Sequence, residues 1–282
     1  MPRCVGQFVD VLLAAGISSS RVDTFDMRFG ALVNCIAYSL ALATSAGSDL
    51  KPRVALDIGH SIKQPGAYSA RGVGEYYFNR AIAAALLRSL KKFGEVETFI
   101  INPQGASISL AERTRQADSK RATLFLSIHH DSVQRRYVKE WTVDGKTRLY
   151  SDNFSGFSVF VSRKNRKFTQ SLRFARLLGE AMIARGFSPT LHHAEKIPGE
   201  GRNLLDKDLG LYEFGDLVVL KTAAMPAVLL ECGVIINRTE EASLQKPEIQ
   251  QRIADAATEA IIKFVRAHAA LGEEEARKAP PN

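Results

Sequence analysis

The chain has 282 residues, 45% of them hydrophobic and 24% charged, with a formal net charge of +8. That balance belongs to a folded protein of one large domain or two small ones, and it excludes collagen-like and wholly disordered chains. The positive excess suits nucleic acid, an anionic membrane surface or an anionic cell-wall polymer, or is simply a solvated face; charge does not choose among them.

No Walker loop, zinc-finger spacing or basic stripe interleaved with aromatics occurs, so no nucleic-acid partner is expected. Cys4, Cys35 and Cys232 form no CxxC pair and imply neither a thiolate metal site nor a disulfide framework. Residues 27–46, MRFGALVNCIAYSLALATSA, combine a basic start, an apolar run from Phe29 to Leu42 and small residues at Ala41, Ala43, Ser45 and Ala46. This is the layout of a secretory signal peptide. The run falls short of the roughly 20 residues of a membrane span, so no stable span is expected. A buried N-terminal helix is the other reading. With a signal peptide, translation is expected to start at Met27, leaving residues 1–26 as a mis-assigned extension. A lipid anchor at Cys35 is not expected, because Asn34 stands where a small residue belongs. An exported chain left with the single thiol of Cys232 is in keeping with an envelope protein that does not rely on disulfides.

From residue 50 to 270 strands and helices alternate. RVALDIG (53–59) reads as a buried strand, followed by a Gly/Pro/Ser-rich loop from His60 to Gly74. Phe78, Ile82, Ala85, Leu86 and Leu90 share one face of a helix spanning Glu75 to Phe93. VETFIIN (96–102) is a strand, and Ser109 caps the helix LAERTRQADSK. ATLFLSI (122–128) is a third strand, ending at His129. Residues 133–153 form a polar excursion with a hairpin across Asp144-Gly145. GFSVFVS (156–162) is a strand, and a helix from about Lys167 to Arg185 stops at Gly186. Residues 187–215 read as a long irregular segment of the kind that forms lids and binding loops. A short helix (216–223), a buried strand AVLLECGVII (227–236) and a closing helix (248–270) follow. Residues 271–282 are expected to form a disordered tail. The predicted fold is α/β: one domain with a mostly parallel twisted sheet flanked by helices on both faces.

In such sheets functional side chains collect at the carboxyl ends of strands. VALDIG runs into His60, FLSI into His129 and VLL into Glu231. With Glu75 opening its helix, His60 and His129 make a two-histidine, one-carboxylate set of the type that holds zinc with a position open for water. Glu231 is then free to act as general base and later proton donor. Each residue also has a plain reading: Glu75 at a helix N-terminus, His60 closing a turn, Glu231 paired with an arginine. Their coincidence at element ends favours the site.

These blocks resemble the zinc-dependent N-acetylmuramoyl-L-alanine amidases, cell-wall hydrolases of the cell-separation type, over residues 52–268. VALDIGH with PGA (65–67) is similar to the block whose histidine binds zinc. Glu75 with Asn79 matches the helix that supplies the carboxylate. SLAERTRQAD (109–118) followed by LFLSIHHD matches the block ending in the second histidine ligand, and PAVLLECGVIIN (226–237) matches the one carrying the catalytic glutamate. The resemblance implies one zinc ion on His60, Glu75 and His129, with Glu231 catalytic. It implies peptidoglycan as substrate, cut between the lactyl group of N-acetylmuramic acid and L-alanine, and a periplasmic or otherwise exported location. His130, Asn79 and Arg113 are candidates for orienting ligands or contacting substrate. Ser61, Ile62 and Gln64 depart from the family's two glycines and acidic residue, which alters the rim and not the ligands.

Cell-division members keep an inhibitory helix in the region of 187–215. Glu195, Glu200 or Glu213 is therefore expected either to approach the zinc until an activator protein displaces the segment, or to sit in a plain substrate-binding loop. His192 and His193 could make a second metal site, but without a partnering carboxylate pattern they read as loop residues. The rival functions are another zinc-dependent envelope peptidase or deacetylase, and an inactive wall-binding or activator protein.

Overall fold

The computed structural model describes residues 51–278; the leader expected over 27–46 and the extension over 1–26 lie outside the described residues. The main strands are β1 (Arg53–Ile58), β2 (Glu97–Ile101), β3 (Leu124–Asp131), β6 (Ser158–Val161), β7 (Asn203–Asp206), β8 (Leu211–Glu213) and β9 (Ala227–Val234). They form a seven-stranded sheet in the order β2-β1-β3-β9-β6-β8-β7. Pairing is parallel from β2 through β9 and between β6 and β8; β6 joins β9, and β7 joins β8, antiparallel. The mostly parallel sheet expected from the alternation of elements is present, extended by a mixed edge.

The central strands are apolar almost throughout because both faces of the sheet are covered. Strict alternation of side chains divides them between two cores. Val54, Leu56 and Ile58 of β1, with Leu124, Leu126 and Ile128 of β3 and Val228 and Leu230 of β9, face a larger core. It is closed by α1 (Glu75–Phe93), α3 (Phe168–Ala184) and α6 (Pro247–Lys278). Ala55, Phe125, Ala227 and Leu229 face a smaller one, under α2 (Leu110–Ser119) and α4 (Val218–Lys221). Each large side chain buried this way contributes about 1.5–3 kcal/mol. The same alternation assigns Asp57, Ser127, His129 and Glu231 to the α2 side, and His130 to the α1 side. That parity positions the whole site.

Local chemistry sets the element ends. Ser109 accepts a hydrogen bond from the Glu112 amide at 3.1 Å, capping α2. Gly94 closes α1 in the left-handed conformation, φ 68°, open to a residue without Cβ. Asn237 caps α5 (Arg238–Leu244), accepting from the Thr239 and Glu240 amides. The polar excursion contains the expected hairpin, β4 (Lys139–Val143) and β5 (Lys146–Tyr150), with Asp144 and Gly145 both at positive φ. Trp141 ties it to the domain by donating from Nε1 to the Ala70 carbonyl at 2.9 Å.

Three expectations change. β3 runs on through both histidines to Asp131 instead of ending at Ile128, because β9 continues to pair with it as far as Val234. The segment 187–215 is irregular only in its first half; its second half adds the edge strands β7 and β8. α6 continues to Lys278, where a disordered tail was expected from residue 271, while residues 279–282 lie outside the described residues. Among the described residues no helix is long and apolar enough to cross a membrane.

Glu240, in the first turn of α5, accepts backbone hydrogen bonds from Gly156 at 2.8 Å and Val234 at 2.9 Å, fastening the loop before β6 to the end of β9. Burial pushes its carboxyl up to about 7, against the pull of those two amides. The folded protein therefore binds this proton more tightly than the unfolded chain, whose value is 4.5. The resulting stabilisation is complete below the unfolded value and is lost as pH rises through about 7. Denaturant titrations of wild type and Glu240→Gln at the two ends of that window are expected to differ in their stability gap by on the order of 2–3 kcal/mol, the wild type losing ground at the higher pH. A gap that does not change with pH would refute this.

Candidate functional site

The site starts from Glu75, the first residue of α1, whose buried carboxylate faces two imidazoles. Oε1 lies 2.9 Å from Nδ1 of His129, and Oε2 lies 2.9 Å from Nε2 of His60. Burial alone would raise the Glu75 pKa, but the hydrogen bonds and charge of His129 and His60 outweigh it and hold the carboxyl well below its usual range. One ligand-type atom from each of the three residues lies within 4.8 Å of the others. Two imidazole nitrogens and a carboxylate oxygen are the donor set that zinc takes. The backbone is shaped for that convergence. A Cβ on Gly59 would stand 2.4 Å from the His129 ring. One on Gly66, at φ +79°, would meet Glu75 Oε2 at 2.4 Å and the His60 ring at 2.5 Å. The glycine of PGA is thus where the metal-type side chains need empty space.

His60 itself has φ 67°, a left-handed conformation that costs a non-glycine residue about 1–2 kcal/mol. Arg113 of α2 holds it there. Its Nη2 donates to the His60 carbonyl at 2.5 Å, and its Nη1 donates to the Ile58 carbonyl at 2.6 Å and to Asp57 Oδ1 at 2.7 Å. Asp57 is 1% exposed, and its second oxygen accepts from Ser127 Oγ at 2.8 Å. Arg113 is therefore a clamp on the turn that presents His60.

His130, whose role was open in the sequence, points into the α1 side as the strand parity requires. It is buried, lies against Phe78, and its Nδ1 is 2.8 Å from Asn79 Oδ1. Asn79 in turn donates to Glu75 Oε1 at 3.1 Å and to the Gly59 carbonyl at 3.2 Å. Burial, the largest influence, drives the His130 pKa down to about 3, so the ring is neutral and donates from Nδ1. His130 and Asn79 thus orient the carboxylate from behind.

Glu231 sits on β9 directly opposite His129 of β3 and Ser158 of β6. A bulge falls immediately beyond it, where His129–Asp131 faces Glu231–Val234; such irregularities re-aim side chains next to active sites. Its Oε2 is buried without a hydrogen-bond partner among the described residues. Burial pushes the carboxyl well above its ordinary value, and the carboxylates of Asp131 and Glu75 push the same way. Beside the cluster opens a cavity of about 370 Å³, lined among others by His60, His129, Gln64, Ser107 and Leu217.

The family model for N-acetylmuramoyl-L-alanine amidase, Amidase_3, matches residues 54–263. The chain belongs to that amidase family. It is 27% identical over 237 residues to the probable N-acetylmuramoyl-L-alanine amidase AmiB of Haemophilus influenzae, covering 75% of this chain and 51% of that protein. With amidase AmiC of Escherichia coli it shares 26% over 254 residues, covering 83% and 56% of the two. The chain thus spans about half the length of these curated relatives. Among solved structures, the catalytic domain of the CwlV amidase from Bacillus (Paenibacillus) polymyxa var. colistinus superposes with a TM-score of 0.58 at 25% identity. That match covers 76% of this chain and 98% of the other.

Glu195, Glu200 and Glu213, the candidates for an inhibitory contact, have other partners in this structure. Glu195 accepts from the Tyr137 hydroxyl at 3.0 Å, Glu200 from Gln134 Nε2 at 2.8 Å, and Glu213 from Arg163 Nε at 2.8 Å. None of the three joins the His60–Glu75–His129 cluster, and no residue of 187–215 lines the cavity beside it. These carboxylates are spent on holding their own loop and strands. His192 and His193 also differ from expectation: they are not plain loop residues but converge on Asp131. Their partner lies about sixty positions earlier in the chain, so no local pattern announced it.

Proposed function

We propose that this chain hydrolyses the amide between the lactyl group of N-acetylmuramic acid and L-alanine of the peptidoglycan stem peptide. The observation that carries the reading is the partnerless, buried Oε2 of Glu231, in register with His129 at the edge of a zinc-type donor set. His60, Glu75 and His129 would hold the ion, which when bound supplies Lewis acidity toward a carbonyl oxygen and toward water. Glu231 is the proton carrier: its carboxylate takes a proton from the attacking water, and Oε2 returns it to the departing alanine nitrogen as the C–N bond breaks. Asn79 and His130 fix Glu75, and Arg113 fixes His60, so the ligands are preorganised. The net charge of +8 suits an anionic wall polymer, and the leader over 27–46 supports export to the envelope, where that polymer lies.

Digestion of purified sacculi, with and without a chelator, followed by mass spectrometry is the test. The expected products are stem peptides with a free L-alanine amine and intact glycan strands, absent after chelation and restored by zinc. Cleavage within the stem peptide or loss of acetyl groups would assign the site to a peptidase or deacetylase. No zinc-dependent product would leave only a binding protein.

A further inference from the structure

A second group of side chains surrounds Asp131, two residues beyond His129 on β3. His192 and His193 come from the 3-10 turn His192–Ala194, and Glu200 from the loop after it. Asp131 Oδ2 lies 3.1 Å from His192 Nε2 and 2.8 Å from His193 Nε2. All three atoms are nonetheless buried with no well-aligned hydrogen-bond partner among the described residues. The far nitrogens, by contrast, are engaged. His192 Nδ1 is 2.8 Å from Thr190 Oγ1, and His193 Nδ1 is 3.0 Å from Glu200 Oε2. That division of labour is how a metal-binding histidine is built: a carboxylate or hydroxyl fixes one nitrogen and the tautomer, leaving the other lone pair for the ion.

The supporting atoms are themselves held. Glu200 Oε1 accepts from Gln134 Nε2 at 2.8 Å, Asp131 Oδ1 accepts from the Ser132 amide at 2.7 Å, and Tyr212 donates its hydroxyl to the Thr190 carbonyl at 2.9 Å. Aromatic rings wall the group off, Phe154 against His192 and Phe160 and Tyr212 against His193. Gly199, at φ 90°, allows close passage of the loop: a Cβ there would stand 2.8 Å from Gln134 Nε2.

We propose that Asp131, His192 and His193 form a second site for a divalent metal ion of the zinc class, separate from His60, Glu75 and His129. Two imidazole nitrogens and one carboxylate oxygen select zinc and its neighbours over magnesium or calcium, which prefer all-oxygen shells. An ion there ties the 192–194 turn to β3 beside Glu231. It also satisfies three buried atoms that are otherwise costly to leave unpaired.

The test is metal stoichiometry on the full chain, stripped with chelator, reloaded with zinc chloride and passed through gel filtration. Wild type is expected to retain about two equivalents, and His193→Gln and His129→Gln about one each. Retention of one equivalent by wild type, or of two by His193→Gln, would overturn the second site. Should His193→Gln fold poorly, His129→Gln decides alone: a bound equivalent there supports the site, and none refutes it. Cobalt loading of the same proteins adds a readout independent of turnover, since His129→Gln should keep a visible cobalt–histidine spectrum that His129→Gln/His192→Gln lacks. Failure of the amidase reading would leave these metal counts unchanged, so the two can fall separately.

Discussion

Glu231→Gln is expected to lower turnover on sacculi by roughly 10²–10⁴-fold, the range general acid–base groups contribute, while zinc binding by His60, Glu75 and His129 persists. Glutamine keeps the volume and can fill the same buried position on β9, between His129 and Ser158. What it loses is the ability to take and return a proton at Oε2, the atom that has no partner among the described residues. Removing a carboxyl whose pKa is raised by burial also relieves the protein of a costly buried acid. The variant should therefore be at least as stable as wild type. That combination, dead but stable and zinc-loaded, separates a proton carrier from a structural residue. A Glu231→Gln enzyme with wild-type turnover would remove Glu231 from the mechanism altogether.

Arg113→Met is expected to cost about 3–5 kcal/mol, because it strands the Asp57 carboxylate in a buried position with a single hydroxyl partner. Methionine replaces much of the aliphatic volume, so the loss measures the charge and the hydrogen bonds more than a cavity. The second variant, Arg113→Met/Asp57→Leu, should recover a large part of that stability, since the stranded charge is gone. Zinc affinity should not recover with it. The clamp on the Ile58 and His60 carbonyls is missing in both variants, and His60 is left to hold a left-handed backbone by itself. Denaturant unfolding and chelator competition on the two variants check both halves. Equal recovery of stability and zinc affinity would mean that Arg113 acts on the core alone.

How much of this was legible in the sequence follows from the range over which each interaction acts. The central strands announce themselves because double burial makes RVALDI, LFLSI and AVLLE mostly apolar, interrupted chiefly where a site residue stands. The α1 and α2 boundaries were readable from Glu75, Ser109 and the glycines around them. Parity along a strand is also local, and it explains in retrospect why two adjacent histidines have different fates: His129 faces the donor cluster, and His130 faces Phe78 and Asn79. Strands β8 and β7 escaped because they are three and four residues long, and their pairing, β8 on β6 and β7 on β8, comes from tertiary contact and not from their own pattern. The Asp131–His192–His193 convergence escaped for the same reason, since tertiary contact alone brings those elements together. The inhibitory contact expected of Glu195 and Glu200 came from the family resemblance, and which donor each would meet, Tyr137 and Gln134 here, was not written in their own stretch of sequence.

The strand neighbours of Glu231 also divide the site mechanically. β9 is hydrogen-bonded on both sides, to β3 and to β6, so Glu231 rides on backbone that can let go only when the sheet itself comes apart. His60 lies past the end of β1, in a turn whose carbonyl Arg113 clamps, and Glu75 opens a helix without a side-chain cap. The proposed proton carrier thus stands on the interior of the sheet, whereas the two proposed ligands stand at either end of the loop 59–75 and depend on that loop's own hydrogen bonds for their position.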